Sequence, residues 1–132
     1  MSQVVLILYY SRHGATQAMA NAIALGVEKS GLEARLRCVP EVSNNLDHQQ
    51  STVPSVGDPY VSKHDLDDCC ALALGSPTRF GNMAAPLKYF IEQTSDLWMN
   101  AKLSDKPVSF FTSASSLHGG QEAVLLNMMI PF

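Results

Sequence analysis

A continuous apolar run opens the chain and precedes a segment with helical periodicity. Residues 4–10 are all apolar, which is typical of a strand covered on both faces of a parallel sheet. Between residues 14 and 29 apolar side chains recur at steps of three and four. Gly31 stands just beyond, where the end of a helix favours a positive φ. The pattern predicts a strand, a tight turn and an amphipathic helix.

The same succession continues along the chain. Residues 33–39 alternate, and Arg35 and Arg37 share the polar face, which predicts an edge strand with one solvated side. Gly81-Asn82 is the expected cap of a helix that begins near Ala84, with Pro86 in its first turn. The other predicted elements are a long polar excursion over 41–63, a helical turn over 65–68, buried strands over 70–75 and 107–113, the helix carrying Ala84, Leu87, Phe90 and Ile91, and a final helix over 121–130.

Alternation of strands and helices predicts one α/β domain over residues 1–132. Parallel βαβ units joined by right-handed crossovers give a doubly wound sheet. The chain supplies four predicted strands and four helical segments, and it ends directly after a helix. A complete fold of this kind would continue.

Composition narrows the function classes. The chain has 46% hydrophobic and 16% charged residues, and nine basic against 12 acidic residues give a net charge of -3, which disfavours binding to nucleic acid. Cys38, Cys69 and Cys70 suggest neither a disulfide framework nor a zinc site, and reduced thiols fit the cytoplasm. The longest apolar run is too short to span a bilayer, so no membrane insertion is expected.

Three predicted strand-to-helix loops are rich in glycine and hydroxyl side chains: residues 11–16, 76–82 and 114–120. Loops that follow parallel strands leave from the same edge of a sheet, where α/β proteins bind ligands. The first loop combines hydroxyls with a helix N-terminus, which suits a phosphate, although small polar residues also make plain turns.

The second loop places Arg79 beside Phe80, which suits a flat heteroaromatic ligand. Phe80 has an alternative place in the hydrophobic core. The third loop has Gly119-Gly120, where the absence of side chains would let backbone N–H groups approach a ring. The alternative is that the two glycines simply form a turn.

Four motifs resemble the flavodoxin-like NAD(P)H:quinone oxidoreductases of the tryptophan-repressor-binding (WrbA) family. They are YYSRHG at residues 9–14, GSPTRFGNM at 75–83, LW at 97–98 and SLHGGQE at 116–122. The resemblance covers essentially the whole chain. It implies a flavodoxin-like sheet with strand order 2-1-3-4, noncovalent FMN, hydride transfer from NADH or NADPH to quinones, and a homotetramer.

The resemblance also implies which residues bind. Residues 11–16 would hold the FMN phosphate, 77–82 the ribityl chain and the ring, and 113–120 would border the ring's polar edge. The residues expected to bind the cofactor are Ser11, Arg12, His13, Gly14, Ala15, Thr16, Pro77, Thr78, Arg79, Phe80, Gly81, Asn82, Ser113, Ala114, Ser115, Ser116, Leu117, His118, Gly119 and Gly120. His13, Phe80 and Trp98 would bind substrate, Trp98 across a subunit interface. No catalytic acid or base is assigned.

Trp98 also fits a core position at the end of an amphipathic helix. Family members continue with a fifth strand, a last helix and a histidine near the flavin. We therefore expect the 132 residues to belong to a longer chain of roughly 200 residues. Without a fifth strand, the strand over 107–113 is expected to be an apolar edge, and the final helix to leave apolar side chains uncovered.

The main alternative function is a flavodoxin-type electron carrier that binds FMN without turning over a substrate. Such carriers are typically strongly acidic proteins, whereas the net charge of this chain is only -3. A phosphoacceptor domain needs an acidic cluster after the first strand, and residues 9–12 have none. A transcription-linked partner would show basic or helix-turn-helix features, and the chain has neither.

Overall fold

A computed structural model describes residues 2–43 and 53–132 of the chain. Within these residues lie four strands and five helices. In chain order they are β1 Val4–Tyr9, α1 Ala15–Lys29, β2 Glu33–Cys38, α2 Lys63–Asp68, β3 Ala71–Pro77, α3 Ala85–Glu92, α4 Ser95–Met99, β4 Val108–Ser113 and α5 Gln121–Met129. Part of the expected polar excursion, residues 44–52, lies outside the described residues.

The four strands form one parallel sheet in the order β2-β1-β3-β4. This is the predicted order. The interior strand β1 is buried at all six positions, as its unbroken apolar run predicts. Of the excursion, Tyr60 forms a parallel bridge with Cys38 at the end of β2.

The sheet separates two hydrophobic clusters, because neighbouring side chains on a strand point to opposite faces. On one face, Ile7 of β1 and Phe111 of β4 pack with Ala20 and Ala24 of α1. The cluster on the other face combines strand residues with residues of α2, α3, α4 and α5. Its members include Leu6, Leu8, Leu66, Leu72, Leu74, Leu87, Phe90, Leu97, Val124 and Met128. The chain is therefore doubly wound.

The arginine face of β2 is partly buried rather than open to solvent, contrary to the prediction. Arg35 Nη1 lies 2.8 Å from Asp68 Oδ2, and Arg37 Nε lies 3.3 Å from Asp65 Oδ1. Asp65 is buried and also completes a capping box with Ser62 at the start of α2. Helix α2 thus supplies carboxylates to both guanidinium groups.

The cap predicted for α3 was also wrong. Pro86 does occupy the first turn, but the N-cap is Ala84 rather than Gly81-Asn82. No side chain caps α3, but the buried Ser76 at the end of β3 fixes the N-cap residue, because its Oγ accepts a hydrogen bond from Ala84 N–H at 2.9 Å. Asn82 instead accepts from Met83 N–H at 3.1 Å. The short helix α4, which carries Trp98, was not predicted as a separate element.

Strand β4 forms the edge of the sheet opposite β2, as predicted. Phe111 is buried, whereas Val108 and Phe110 are partly buried, and the Phe110 ring centroid lies 5.9 Å from that of Phe132. Several apolar side chains of α5 and the residue after it are exposed, as expected: Leu126, Met129 and Ile130. Among the helices of the described residues, none has the length and hydropathy of a bilayer span.

Candidate cofactor-binding site

The three glycine- and hydroxyl-rich loops meet at one edge of the sheet. Since β1, β3 and β4 are parallel, the loops after them leave from the carboxyl ends of the strands. Part of each loop lines a cleft of about 210 Å³, here called the rim cleft. Its lining residues are Ser11, Arg12, His13, Ala15, Thr16, Pro77, Thr78, Arg79, Ser113, Ala114 and Ser115.

The N-terminus of α1 opens into the rim cleft. Gly14 is the N-cap with φ 97°, a left-handed conformation that glycine adopts without steric cost. No side chain caps the helix, and the first intrahelical bond runs from Ala18 N–H to Gly14 O at 2.9 Å. Ser11 Oγ accepts from Gly14 N–H at 3.1 Å, which shapes the turn. First-turn amides arranged in this way bind anions well.

A hydroxyl pair joins the first and third loops. Thr16 is fully buried, and its Oγ1 lies 2.9 Å from Ser113 Oγ at the end of β4. Two hydroxyls carry two protons, and their mutual hydrogen bond uses one of them. One proton of the pair therefore remains to donate to a ligand.

The rim cleft carries positive charge. Arg12 and Arg79 both line it, and none of the described residues that line it is acidic. Arg79 Nη1 donates to Thr78 O at 3.1 Å. Across residues 2–43 and 53–132, Arg79 forms no salt bridge. Its charge is therefore available to an anionic or electron-rich ligand.

A second pocket, here called the acidic pocket, adjoins the rim cleft at Ser11 and has the opposite character. Glu41 and Asp58 line it, and Tyr9 donates from its hydroxyl to Asp58 Oδ2 at 2.6 Å. Burial and this carboxylate raise the pKa of Tyr9 well above its ordinary value. Burial and the charge of Glu41 also raise the pKa of Tyr10 above its ordinary value. An anion is therefore favoured in the rim cleft and disfavoured here.

Residues 79–82 form a tight turn at the mouth of the second loop. Arg79 and Asn82 exchange both backbone hydrogen bonds at 2.9 Å, and the two residues between them have positive φ, 52° at Phe80 and 72° at Gly81. These features define a type I′ turn. The Phe80 side chain is fully exposed, so its alternative place in the core was wrong. Phe80, Gly81 and Asn82 do not line the rim cleft.

The later part of the third loop packs on this turn instead of lining the rim cleft. A Cβ built on Gly120, whose φ is 90°, would lie 3.1 Å from Gly81 Cα. Gln121 closes the loop, because its Nε2 donates to Ser116 O at 2.8 Å and its Oε1 accepts from Gly119 N–H at 3.0 Å. Leu117 and His118 are exposed and also lie outside the rim cleft.

Trp98 lies away from the other predicted site residues. It lines an apolar groove with Ile91, Val108 and Phe132. Val108 begins β4, whereas Ser113 in the rim cleft ends it, so the groove and the rim cleft lie at opposite ends of that strand. Trp98 is 76% exposed, and the alternative that placed it in the core was wrong.

The sequence reasoning assigned no role to two side chains of α5. Gln121 was part of a recognised motif but had no function, and Asn127 was not singled out. Asn127 Nδ2 donates to Gly81 O at 3.0 Å, across 46 residues of sequence. The only signal in the sequence was a pair of amide side chains on the helix that follows Gly119-Gly120. In the described part of the chain, no group of three or more His, Cys, Asp or Glu residues is arranged to hold a metal.

The sequence was compared with protein families. The model of the family described as "NADPH-dependent FMN reductase" matches residues 2–130. The chain belongs to this family. A relative from Rhizobium meliloti (strain 1021), named "NAD(P)H dehydrogenase (quinone) 3", is 41% identical over 124 residues, 93% of this chain and 58% of that protein. Relatives from two other organisms give similar coverage, and the chain spans about three fifths of the length of these curated relatives.

Solved structures agree with the family assignment. "The crystal structure of the flavodoxin, WrbA-like protein from Agrobacterium tumefaciens" is 27% identical with a TM-score of 0.75, and the match covers 98% of this chain and 71% of that one. This confirms the predicted flavodoxin-like architecture and the resemblance carried by the motifs. A flavoprotein from Lactobacillus acidophilus, solved with FMN, matches at 20% identity with a TM-score of 0.62 over 94% of this chain and 82% of that one. At that identity the match concerns the fold alone.

Proposed function

We propose that the chain binds FMN in the rim cleft and that its protein transfers hydride from NADH or NADPH to quinones. The observation that carries the proposal is the convergence of three loops on one cleft with two guanidinium groups, several hydroxyls and no carboxylate among its described lining residues. The names of the curated relatives, NAD(P)H dehydrogenase (quinone), support the reaction class.

The donors of the rim cleft fit the chemistry of FMN. A phosphate needs several N–H and O–H donors and little competing negative charge. The uncapped first turn of α1, the hydroxyl of Ser11, and the proton left by the Thr16–Ser113 pair supply such donors. Arg12 adds charge at the same loop. We therefore assign the phosphate to residues 11–16.

The second loop fits the rest of the cofactor. Arg79 lines the rim cleft, and the neighbouring Phe80 offers an exposed aromatic face. When bound, FMN supplies a centre that accepts hydride from a nicotinamide and delivers it to a quinone. The residues of this chain bind and orient: cationic groups balance the negative charge of the cofactor, and the turn at residues 79–82 presents its backbone and Phe80 to the planar substrates. No side chain is assigned as an acid or a base.

The remaining site residues complete the proposal. We assign residues 113–120 to the border of the ring, because Ser113, Ala114 and Ser115 line the rim cleft and Gly120 packs on the turn at 79–82. We assign His13 to substrate binding through its place in the rim cleft. Trp98 lies at the opposite end of β4, so we propose that it serves the site of another copy in a homotetramer. Its exposed indole supports such a role. Cytoplasmic location is supported by the free state of all three cysteines.

An FMN titration and an anaerobic reduction test the proposed function. We expect FMN fluorescence to be quenched on binding, and the absorbance of the bound flavin to bleach when NADH or NADPH is added. Adding a quinone should restore the absorbance through many cycles. Absence of FMN binding would refute the proposal, and binding without bleaching by either nicotinamide would favour the electron carrier.

Replacing Arg79 with alanine is expected to weaken FMN binding about fivefold, because a charged donor at the rim cleft is lost. The midpoint of urea unfolding should stay nearly unchanged, since within residues 2–43 and 53–132 the guanidinium bonds only to the neighbouring Thr78 O. Fluorescence titration measures the affinity.

Lys88→Ala is the matched control for Arg79→Ala, because it removes the same charge from α3, where Lys88 pairs with Glu92 on the exposed face. It should leave FMN affinity unchanged. Equal losses in both variants would indicate a general electrostatic effect, and a large loss of stability in Arg79→Ala would assign that residue to the fold.

A further inference from the structure

The turn at residues 79–82 has a backbone that its own sequence does not favour. Type I′ turns need positive φ at both central residues, and asparagine, aspartate and glycine normally occupy them. Here the first central residue is Phe80 with φ 52°, where its Cβ is crowded by the backbone. The phenyl ring makes no compensating contact, because the side chain is fully exposed. The two backbone hydrogen bonds between Arg79 and Asn82 oppose this strain, and interactions from outside the turn add to them.

Helix α5 supplies those interactions. Asn127 Nδ2 donates to Gly81 O at 3.0 Å, on the second central residue of the turn. The N-cap of the same helix, Gly120, lies so close that a Cβ there would be 3.1 Å from Gly81 Cα. A Cβ built on Gly81 would in turn lie 3.8 Å from Ala123 Cβ. Gly81 is thus held against α5 by one directional hydrogen bond and by close packing.

We infer that Asn127 is a positioning residue of the cofactor site: its amide fixes the left-handed turn so that Arg79 lines the rim cleft with Phe80 exposed beside it. The inference rests on the proposed function of the rim cleft. Helix α5 would then set the geometry of the second loop, although it follows the third loop in the chain. Asn127 touches no residue that lines the rim cleft through the hydrogen bonds of the described chain.

A purely structural role for Asn127 predicts different behaviour. Helix α5 is anchored by Val124 and Met128, both fully buried in the larger hydrophobic cluster. Removal of a partly buried amide should therefore leave the helix in place and release only the turn. Stability and loop geometry can be separated by experiment for this reason.

The experiment compares Asn127→Ala and Asn127→Asp with the unaltered protein. Two-dimensional NMR of the protein without FMN records the backbone amide and Hα shifts of residues 79–82, and fluorescence titration records FMN affinity. Asn127→Ala should move the shifts of the turn and weaken FMN binding about three- to fivefold, the effect of one hydrogen bond. Asn127→Asp has the same shape, but a carboxylate cannot donate, so it should weaken binding further at pH 7. Acidification should partly restore its binding, because a protonated carboxyl donates again.

Asn100→Ala is the matched control, because Asn100 Nδ2 also donates to a backbone carbonyl, Asp96 O at 2.8 Å, at the end of α4. It should change neither the turn nor FMN affinity. Unmoved shifts of residues 79–82 in Asn127→Ala would overturn the inference, and so would a moved turn with unchanged affinity. If the unaltered protein binds no FMN, the proposed function fails, whereas the NMR comparison still decides whether Asn127 holds the turn.

Discussion

Replacing Gly75 with alanine is expected to lower the free energy of unfolding by about 3 kcal/mol, the upper end of the cost of overpacking a core. Gly75 lies in β3, between Tyr9 of β1 and Phe111 of β4. A Cβ there would lie 2.2 Å from two ring carbons of Phe111, which is buried in the smaller hydrophobic cluster. The ring cannot move aside without opening the contact between the sheet and α1. Urea unfolding followed by circular dichroism measures the loss.

Two further variants separate steric conflict from the general effect of replacing glycine. Gly26 lies in α1, and a Cβ there would meet nothing within 4 Å beyond the backbone of its own helix, so Gly26→Ala should raise stability by about 0.5–1 kcal/mol. Combining Gly75→Ala with Phe111→Leu should recover part of the loss, because the smaller side chain makes room. Equal stability of Gly75→Ala and the unaltered protein would show that the Phe111 ring can move aside at no cost.

Periodicity was enough to predict the sheet. The unbroken apolar run of β1 and the helical spacing of α1 show which positions are buried, because the polarity of each side chain determines its preference for the core. Gly31 has φ 86°, as a glycine at the end of a helix should. The predicted strand order agrees with the structure, but it came from the family resemblance. Periodicity alone does not show which strands pair.

Contacts between distant segments explain where the sequence reasoning was wrong. Arg37 was expected in solvent because its own strand alternates, and only the fold brings Asp65 of α2 to it. The cap of α3 was assigned to Asn82 because side chains of that type often cap helices. No side chain caps α3, and its N-cap residue Ala84 is held instead by Ser76, which lies eight residues earlier and accepts from its N–H.

The location of the site was predictable, but its detailed lining was not. Loops after parallel strands share an edge, so residues as far apart as Ser11 and Ser113 were expected together and both line the rim cleft. Which part of a loop faces the cleft depends on its backbone conformation. Phe80 and Gly120 turn away from the cleft because the second and third loops pack on each other.

This contact between loops leads to the second large expected effect. Replacing Gly120 with alanine should weaken FMN binding at least tenfold, about 1.4 kcal/mol of binding free energy. A Cβ would meet the backbone of Gly81 at 3.1 Å, and backbone cannot yield as a flexible side chain does. The turn that carries Arg79 would have to shift. Fluorescence titration with FMN measures the loss.

Gly31→Ala separates displacement of the turn from backbone strain. Gly31 has φ 86°, close to the 90° of Gly120, but a Cβ there meets no atom within 4 Å and lies after α1, away from the rim cleft. Gly31→Ala should lose about 1–2 kcal/mol of stability, the cost of a side chain in the left-handed region, and Gly120→Ala at least as much. Only Gly120→Ala should lose FMN affinity, because only its methyl group presses on the turn. If Gly31→Ala weakened FMN binding equally, the loss would come from general destabilisation, and the packing of the third loop on the second would have no part in binding the cofactor.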